Sequence, residues 1–485
     1  MGRSARRPVV AATAAGAAAA GLVVLAVLAV GLPRTHSGPG TASGAAPASA
    51  SATSTEMTRW PPAGPATPTP ADERAPRARN VVLLIGDGMG EAEIEAARAY
   101  QPGPGGLLAG IDRLDALALV TVRSLTRDGA DDLVADSAAS GTAIATGRRT
   151  VDRAISVDRE GRPLRTLVEL AAEAGMRTGS VTTAAVQDAT AAVQVAHVVD
   201  RACDGPASTT ERCPGDALEN GGSGSISEQL LAAPPDLTLG GGADVFAERA
   251  RAGRWEGLSL HDQARERGFR IVTDEGGLAD LRPDDLRDPV LGLFAPGHLA
   301  VEWSGPAATP DGGAETPARC GRSDERPASQ PTLEAMTRAA LTLLDGADPA
   351  AGFFLQVEGA SIDKRAHRAD PCGQIGETLA FDRAVRAALD FAAADGDTLV
   401  VVTADHAQAT QIVPSGATTA GLTRSLRTEG GGVLTVSYAT TTGRQEHTGG
   451  PVRVTATGPG AARVVALREQ VEVFGLVADA LRLTP

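Results

Sequence analysis

The 485-residue chain is poor in aromatics, at 3%, while glycine (57) and proline (31) are plentiful. That balance excludes a coiled coil or a polytopic membrane protein and suits a loop-rich globular chain. Basic residues are not in excess: 45 Lys and Arg face 59 Asp and Glu, for a net charge of −14. Nucleic acid is therefore excluded as the main partner, because no surplus of cations exists to neutralise its phosphates. A small anionic substrate is not excluded, since a local positive site can sit on an acidic protein. No Cys-x-x-Cys pair occurs, which argues against a zinc knuckle. No Gly-x-Ser-x-Gly elbow occurs either, which disfavours a hydrolase-type triad. There is no internal repeat, and no segment after Leu32 is apolar enough to span a bilayer.

The N-terminus carries the one long apolar run. Arg3, Arg6 and Arg7 precede it, and Pro8 to Leu32 is a stretch of 25 uncharged residues. A secretory signal has a shorter apolar core, of about 7–15 residues, whereas about 20 suffice to cross a membrane. Residues 1–32 thus read as a signal peptide or an N-terminal anchor, and both place the bulk of the chain outside the cytoplasm: extracellular, periplasmic or at the cell surface. Arg6–Arg7 weakly resembles a twin-arginine signal. Residues 33–77 are rich in Ala, Ser, Thr, Pro and Gly, a composition that cannot bury enough apolar surface to order itself. They read as a disordered linker, followed by one catalytic domain over 78–485.

The four cysteines, Cys203, Cys213, Cys320 and Cys372, all follow the linker. In an exported protein an even count favours disulfides. Three pairings are open; the local one, Cys203–Cys213 with Cys320–Cys372, is preferred because it closes one small and one moderate loop.

Three continuous apolar runs read as buried parallel strands: 80–86 (NVVLLIG), 353–357 and 398–403 (TLVVVT). A further strand is expected at 178–182, and helices at 91–100, 167–174, near 361–369 and at 378–394. Stretches 204–224 and 304–331, rich in Gly, Pro and polar residues, read as loops. Strands alternating with helices indicate an α/β fold with a mostly parallel sheet.

In such sheets ligands bind beyond the carboxyl ends of the strands. Here three strands end in ligand-type residues: Asp87 after the first, Glu358, Asp363 and His367 after the second, Asp405 and His406 after the third. Asp363 and His367 are spaced i, i+4, on one face of a helix. Asp with neutral His favours Zn²⁺, and a Glu without a nearby His favours a harder ion such as Mg²⁺. Taken singly each feature has a bland explanation, a turn, an exposed helical pair or an ordinary loop; jointly they do not. His197, His261 and His298 lack such company and read as structural. Ser137, in DSAAS (136–140), opens a run of small residues that suits a helix start, where Ser is a common cap. Beside a metal its hydroxyl becomes a nucleophile without needing a histidine base.

These stretches closely resemble bacterial alkaline phosphatases. The matching motifs are NVVLLIGDGMG (80–90), DSAAS (136–140), QDAT (187–190), AHVVDRACDG (196–205), LGGGA (239–243), FFLQVEGASIDKRAH (353–367), TADHA (403–407) and QEHTGG (445–450). The resemblance spans roughly 80–485. It implies a three-layer sandwich with a large, mostly parallel central sheet, a homodimer, and hydrolysis of small phosphate monoesters through a phosphoserine on Ser137. It implies two zinc ions, one held by Asp363, His367 and His447, the other by Asp87, Asp405 and His406. A magnesium would be held by Asp87, Thr190 and Glu358, with Asp188 standing behind them. Arg201 would clamp two phosphate oxygens, Asp136 would orient Arg201, and Lys364 would reach the phosphate through water. Two departures stand out: Gln408 where close relatives often carry His, and Gly141 where Ala is commoner. Gln408 puts metal affinity in question, and Gly141 is expected to loosen the helix start.

A phosphodiesterase or sulfatase of the same superfamily is the competing enzymatic reading. Arg201, Thr190 and Glu358 speak against a diesterase, and Ser137 lacks the Pro and Arg that follow a sulfatase nucleophile. A non-catalytic phosphate- or metal-binding surface protein is the third reading.

Overall fold

The computed structural model describes residues 77–484 apart from 104, 348 and 349. The expected signal or anchor (1–32) and nearly all of the expected linker (33–77) lie outside the described residues. Among the described residues no helix is long and apolar enough to cross a membrane.

Nine strands form one sheet: β1 (Asn80–Gly86), β2 (Ala116–Val120), β3 (Arg177–Ala185), β4 (Leu237–Gly241), β5 (Arg270–Val272), β6 (Val290–Leu293), β7 (Phe353–Gly359), β8 (Thr398–Ala404) and β9 (Val452–Thr457). Their spatial order is β2-β9-β8-β1-β7-β3-β4-β6-β5. From β8 to β5 every pairing is parallel; β9 pairs antiparallel with β8 and with β2. The three apolar runs are the centre of this sheet, and every residue of β1, β7 and β8 is buried. A strand covered on both faces has no polar side, hence the unbroken Val and Leu. Edge strand β2 instead alternates, with Leu117 and Leu119 half exposed.

Helices cover both faces. On one, α1 (Glu91–Tyr100), α3 (Leu333–Ala347) and α4 (Pro371–Asp395) pack together; on the other, α2 (Ser137–Thr146), the helix Leu167–Glu173 and α5 (Val473–Leu481). This is the expected three-layer sandwich. A separate antiparallel three-stranded sheet, Thr410–Val413, Leu422–Arg427 and Val433–Tyr438, lies beside α1.

The stretch 204–224 is not all loop. Pro206–Arg212 is a helix with proline in its first turn, and it ends at Cys213. The polar composition hid it: the Cys203–Cys213 disulfide closes a ten-residue separation around it, and Thr209 is buried beneath. Cys320–Cys372 is the second disulfide, so the local pairing is the one found.

Register positions the chemistry. Ile85 on β1 pairs with Glu358 on β7 and Thr403 on β8, and Gly86 pairs with Gly359 and Ala404. The three central strands therefore end in line, and Asp87, Glu358 and Asp405 emerge at one edge of the sheet.

Candidate active site

Asp87 opens a sharp turn after β1 in which Gly88 has a φ of +65°, and a Cβ there would come within 2.9 Å of the Gln408 side chain and 3.0 Å of that of Asp363. Only glycine lets these segments approach so closely. The Gly88 N–H donates to Asp405 Oδ1 at 2.9 Å, tying the first strand end to the third.

Ser137 is the first residue of α2, and Asp136 caps the helix: its Oδ1 accepts the Ala139 N–H at 3.0 Å. The expected Ser cap is thus an Asp, which leaves the Ser137 hydroxyl free for other partners. Its Oγ lies 3.1 Å from His406 Nε2 and 3.4 Å from Asp87 Oδ1, fully buried. The helix N-terminus adds a positive dipole end beneath it. Gly141 sits inside α2, where a Cβ would meet Val193 at 3.3 Å, so it serves close packing against the 189–192 turn.

Arg201 is held between two carboxylates, Asp136 Oδ2 at 3.2 Å and Asp188 Oδ1 at 2.9 Å. Lys364 Nζ reaches Asp188 Oδ2 at 2.6 Å. Burial would raise the Asp188 carboxyl, but Lys364 and Arg201 outweigh it and hold it well below the usual carboxylate range. Asp188, with Asp87 and Glu358, outweighs burial and keeps the Lys364 ammonium charged. Lys364 is the sole lysine of the chain.

The remaining acidic groups form two clusters. Asp363, His406 and His447 offer ligand atoms within 4.8 Å of one another, and so do Asp87, Asp405 and His406. His367 joins the first cluster: its Nε2 lies 3.3 Å from Asp363 Oδ2 and 3.1 Å from His447 Nε2. His447 Nε2 lies 3.4 Å from Asp363 Oδ1. Both rings point Nδ1 at a backbone carbonyl, Gln445 for His367 and Ala135 for His447. Those carbonyls take the ring protons, so two lone pairs face each other across a carboxylate. A cation between them resolves this, and the donor set fits zinc.

In the second cluster Asp405 Oδ2 is buried with no hydrogen-bond partner among the described residues. Burial first, then the charges of Asp405 and Asp363, pushes the Asp87 carboxyl well above its usual range. Glu358 is pushed up to about 7, mainly by burial, although Thr182 Oγ1 donates to it at 2.5 Å. Thr190 Oγ1 is buried without a hydrogen-bond partner among the described residues. Uncompensated carboxylates and an idle hydroxyl at one strand edge also fit a hard cation. Gln408 Nε2 donates to Asp363 Oδ1 at 2.7 Å, so the departure at this position touches a ligand-type carboxylate directly.

Asp136, Ser137, Asp188, Arg201, Asp363, Lys364, His367 and His447 line one cavity of about 670 Å³. A model of the family described as "Alkaline phosphatase" matches residues 78–446. The chain belongs to the alkaline phosphatase family. It is 50% identical over 409 residues to the alkaline phosphatase of Escherichia coli strain K12, covering 84% of this chain and 86% of that protein. It is 52% identical over 429 residues to the streptomycin-6-phosphate phosphatase of Streptomyces griseus, covering 86% and 94%. Among solved structures, the alkaline phosphatase of Thermus thermophilus matches with a TM-score of 0.63 at 23% identity, over 86% of this chain and 94% of that one, and so shares the fold. The protein is a phosphatase, and alkaline phosphatases are metal-dependent.

Several residues of this alkaline phosphatase cavity carry no signal in the sequence, among them Asp152, Arg153, Arg368, Arg444 and Glu446, and one was misjudged. His298, read as structural, lines the same space, with Nδ1 3.9 Å from Asp188 Oδ2 and accepting the Ala185 N–H at 3.1 Å. Burial and the Lys364 charge push its imidazole below the usual value. The strand-end rule would have found it, because it follows β6; that short strand was not recognised.

Proposed function

We propose that this chain is an exported alkaline phosphatase that hydrolyses phosphate monoesters through a phosphoserine on Ser137, with two zinc ions and one magnesium. Asp363, His367 and His447 would hold one zinc, Asp87, Asp405 and His406 the other, and Asp87, Thr190 and Glu358 the magnesium. Bound there, the ions would supply charge that favours the Ser137 alkoxide, the attacking water and the leaving oxygen. The chain's own groups do the rest. Arg201, fixed by Asp136 and Asp188, offers its remaining N–H donors to two phosphoryl oxygens, the geometry a guanidinium fork suits. Ser137 Oγ attacks phosphorus as the P–O bond to the alcohol breaks, and the seryl proton ends on the departing alcohol by way of solvent; water then attacks the phosphoserine, phosphate leaves, and one of the water's protons goes to Oγ. Lys364 offsets phosphate charge from one side, and Asp188 keeps both cations in place. Phosphoryl transfer asks for little beyond such positioning and charge neutralisation.

The observation that carries this reading is Ser137 Oγ, buried at a helix N-terminus among ligand-type groups and opening onto the Arg201 cavity. Ser137→Ala is the test. Turnover should collapse while phosphate still binds; undiminished turnover would remove Ser137 as nucleophile. A homodimer and export are part of the same proposal. Half-exposed Leu117 and Leu119 on edge strand β2 support the first, and the basic residues ahead of the uncharged run 8–32 support the second.

A further inference from the structure

We propose that the site favours phosphate monoesters whose alcohol carries a second anionic group, a carboxylate or another phosphate. The inference rests on the phosphatase reading and concerns the outer half of the same cavity. Its volume of about 670 Å³ leaves ample room beyond the phosphoryl end for the alcohol. Only two of its sixteen lining residues, Val134 and Ala135, are apolar, so the alcohol it takes is polar.

Six charged or polar groups face that alcohol from the rim. Arg153 is already committed, its guanidinium paired with Asp200 through two contacts of 2.8 Å. Asp152 is half-buried and accepts the Asp136 N–H at 3.2 Å. His298 accepts a backbone N–H on Nδ1, so its neutral ring carries the proton on Nε2 and can only donate there. Arg368 and Arg444 are exposed, and among the described residues no carboxylate lies within 4 Å of either guanidinium. Glu446 is the opposing group, exposed and close to Arg444 in sequence, yet the two make no ion pair. Two guanidinium groups without an ion pair and one N–H donor thus face one exposed carboxylate, Glu446, and one half-buried carboxylate, Asp152, that a backbone N–H partly occupies. On a chain with a net charge of −14, which repels anions at long range, such a local excess is a selective feature.

The test compares kcat/KM of the full-length, metal-loaded enzyme for 3-phosphoglycerate (anionic), glycerol 3-phosphate (neutral) and phosphoethanolamine (cationic). Exposed ion pairs each contribute a factor of about 1.4–5, so 3-phosphoglycerate should lead glycerol 3-phosphate about threefold to tenfold at low salt. The lead should shrink toward one in about 0.5 M salt, where the screening length falls to a few ångströms. The Arg368→Gln, Arg444→Gln double variant should lose the lead and keep glycerol 3-phosphate turnover; Arg368→Lys with Arg444→Lys should restore it, and Glu446→Gln should enlarge it. Equal turnover of all three esters, or a preference for phosphoethanolamine, would overturn this inference alone. Failure to hydrolyse any of them would overturn the phosphatase reading and this inference with it.

Discussion

Replacing Glu358 by Gln should make the metal-free protein more stable at neutral pH, an unusual direction for a buried site residue. Burial and neighbouring charge raise this carboxyl from 4.5 to about 7. The folded state therefore holds the proton more tightly than the unfolded chain, and stability falls as pH rises from about 4.5 to 7. The cost at pH 8 is about 3 kcal/mol. Gln keeps the size and can still accept from Thr182, but it has no charge to bury. Glu93 and Glu377 are also raised to about 7 by burial, so both proteins share that part of the slope. The readout is the difference: urea unfolding of wild type and Glu358→Gln in chelator, at pH 5 and pH 8. Wild type should lose about 2–3 kcal/mol more than the variant between the two pH values, because part of the cost is already present at pH 5. Added Mg²⁺ should restore the wild type and leave the variant unmoved, because a ligand stabilises only the state that binds it. Parallel pH slopes, or equal stabilisation of both proteins by Mg²⁺, would refute the reasoning.

Asp363→Ala should abolish stoichiometric zinc at its site, read by metal analysis after dialysis, while the fold persists by circular dichroism. Gln408→Ala removes the hydrogen bond to Asp363 and should weaken zinc about 10- to 100-fold in competition with a chelator. Arg201→Ala should raise the inhibition constant for inorganic phosphate; an unchanged constant would remove Arg201 from the clamp. Because Lys364 is the sole lysine, reductive methylation can touch only it and the α-amine, and phosphate should protect it in intact-mass measurements.

The central fold was legible because buried parallel strands write themselves as unbroken apolar runs, and β1, β7 and β8 did so. Strand β4 (LTLGG) was not recognised: two of its five residues are glycines, demanded by tertiary closeness, since a Cβ on Gly240 would meet Thr182 at 2.8 Å. The helix Pro206–Arg212 was hidden by its polar surface. At the site, the strand-end carboxylates and histidines were readable from position alone. Arg201, Thr190, Asp188 and Lys364 were reached only through family resemblance, because their company is made by segments far apart in sequence, Lys364 on the helix Ser361–Ala366 and Asp188 and Thr190 at the helix Ala189–Ala192. Arg368 and Arg444 carry no local pattern at all; what marks them is that no carboxylate among the described residues pairs with either, a feature that exists only in three dimensions.

The most direct test is hydrolysis of p-nitrophenyl phosphate from pH 6 to 11, after chelation and after adding back Zn²⁺ and Mg²⁺, with the diester and sulfate analogues alongside. Monoester turnover that disappears with chelator, returns with the metals and rises into alkaline pH is the predicted result. A folded, zinc-loaded protein that leaves the monoester intact, or that prefers the diester or sulfate, would contradict it.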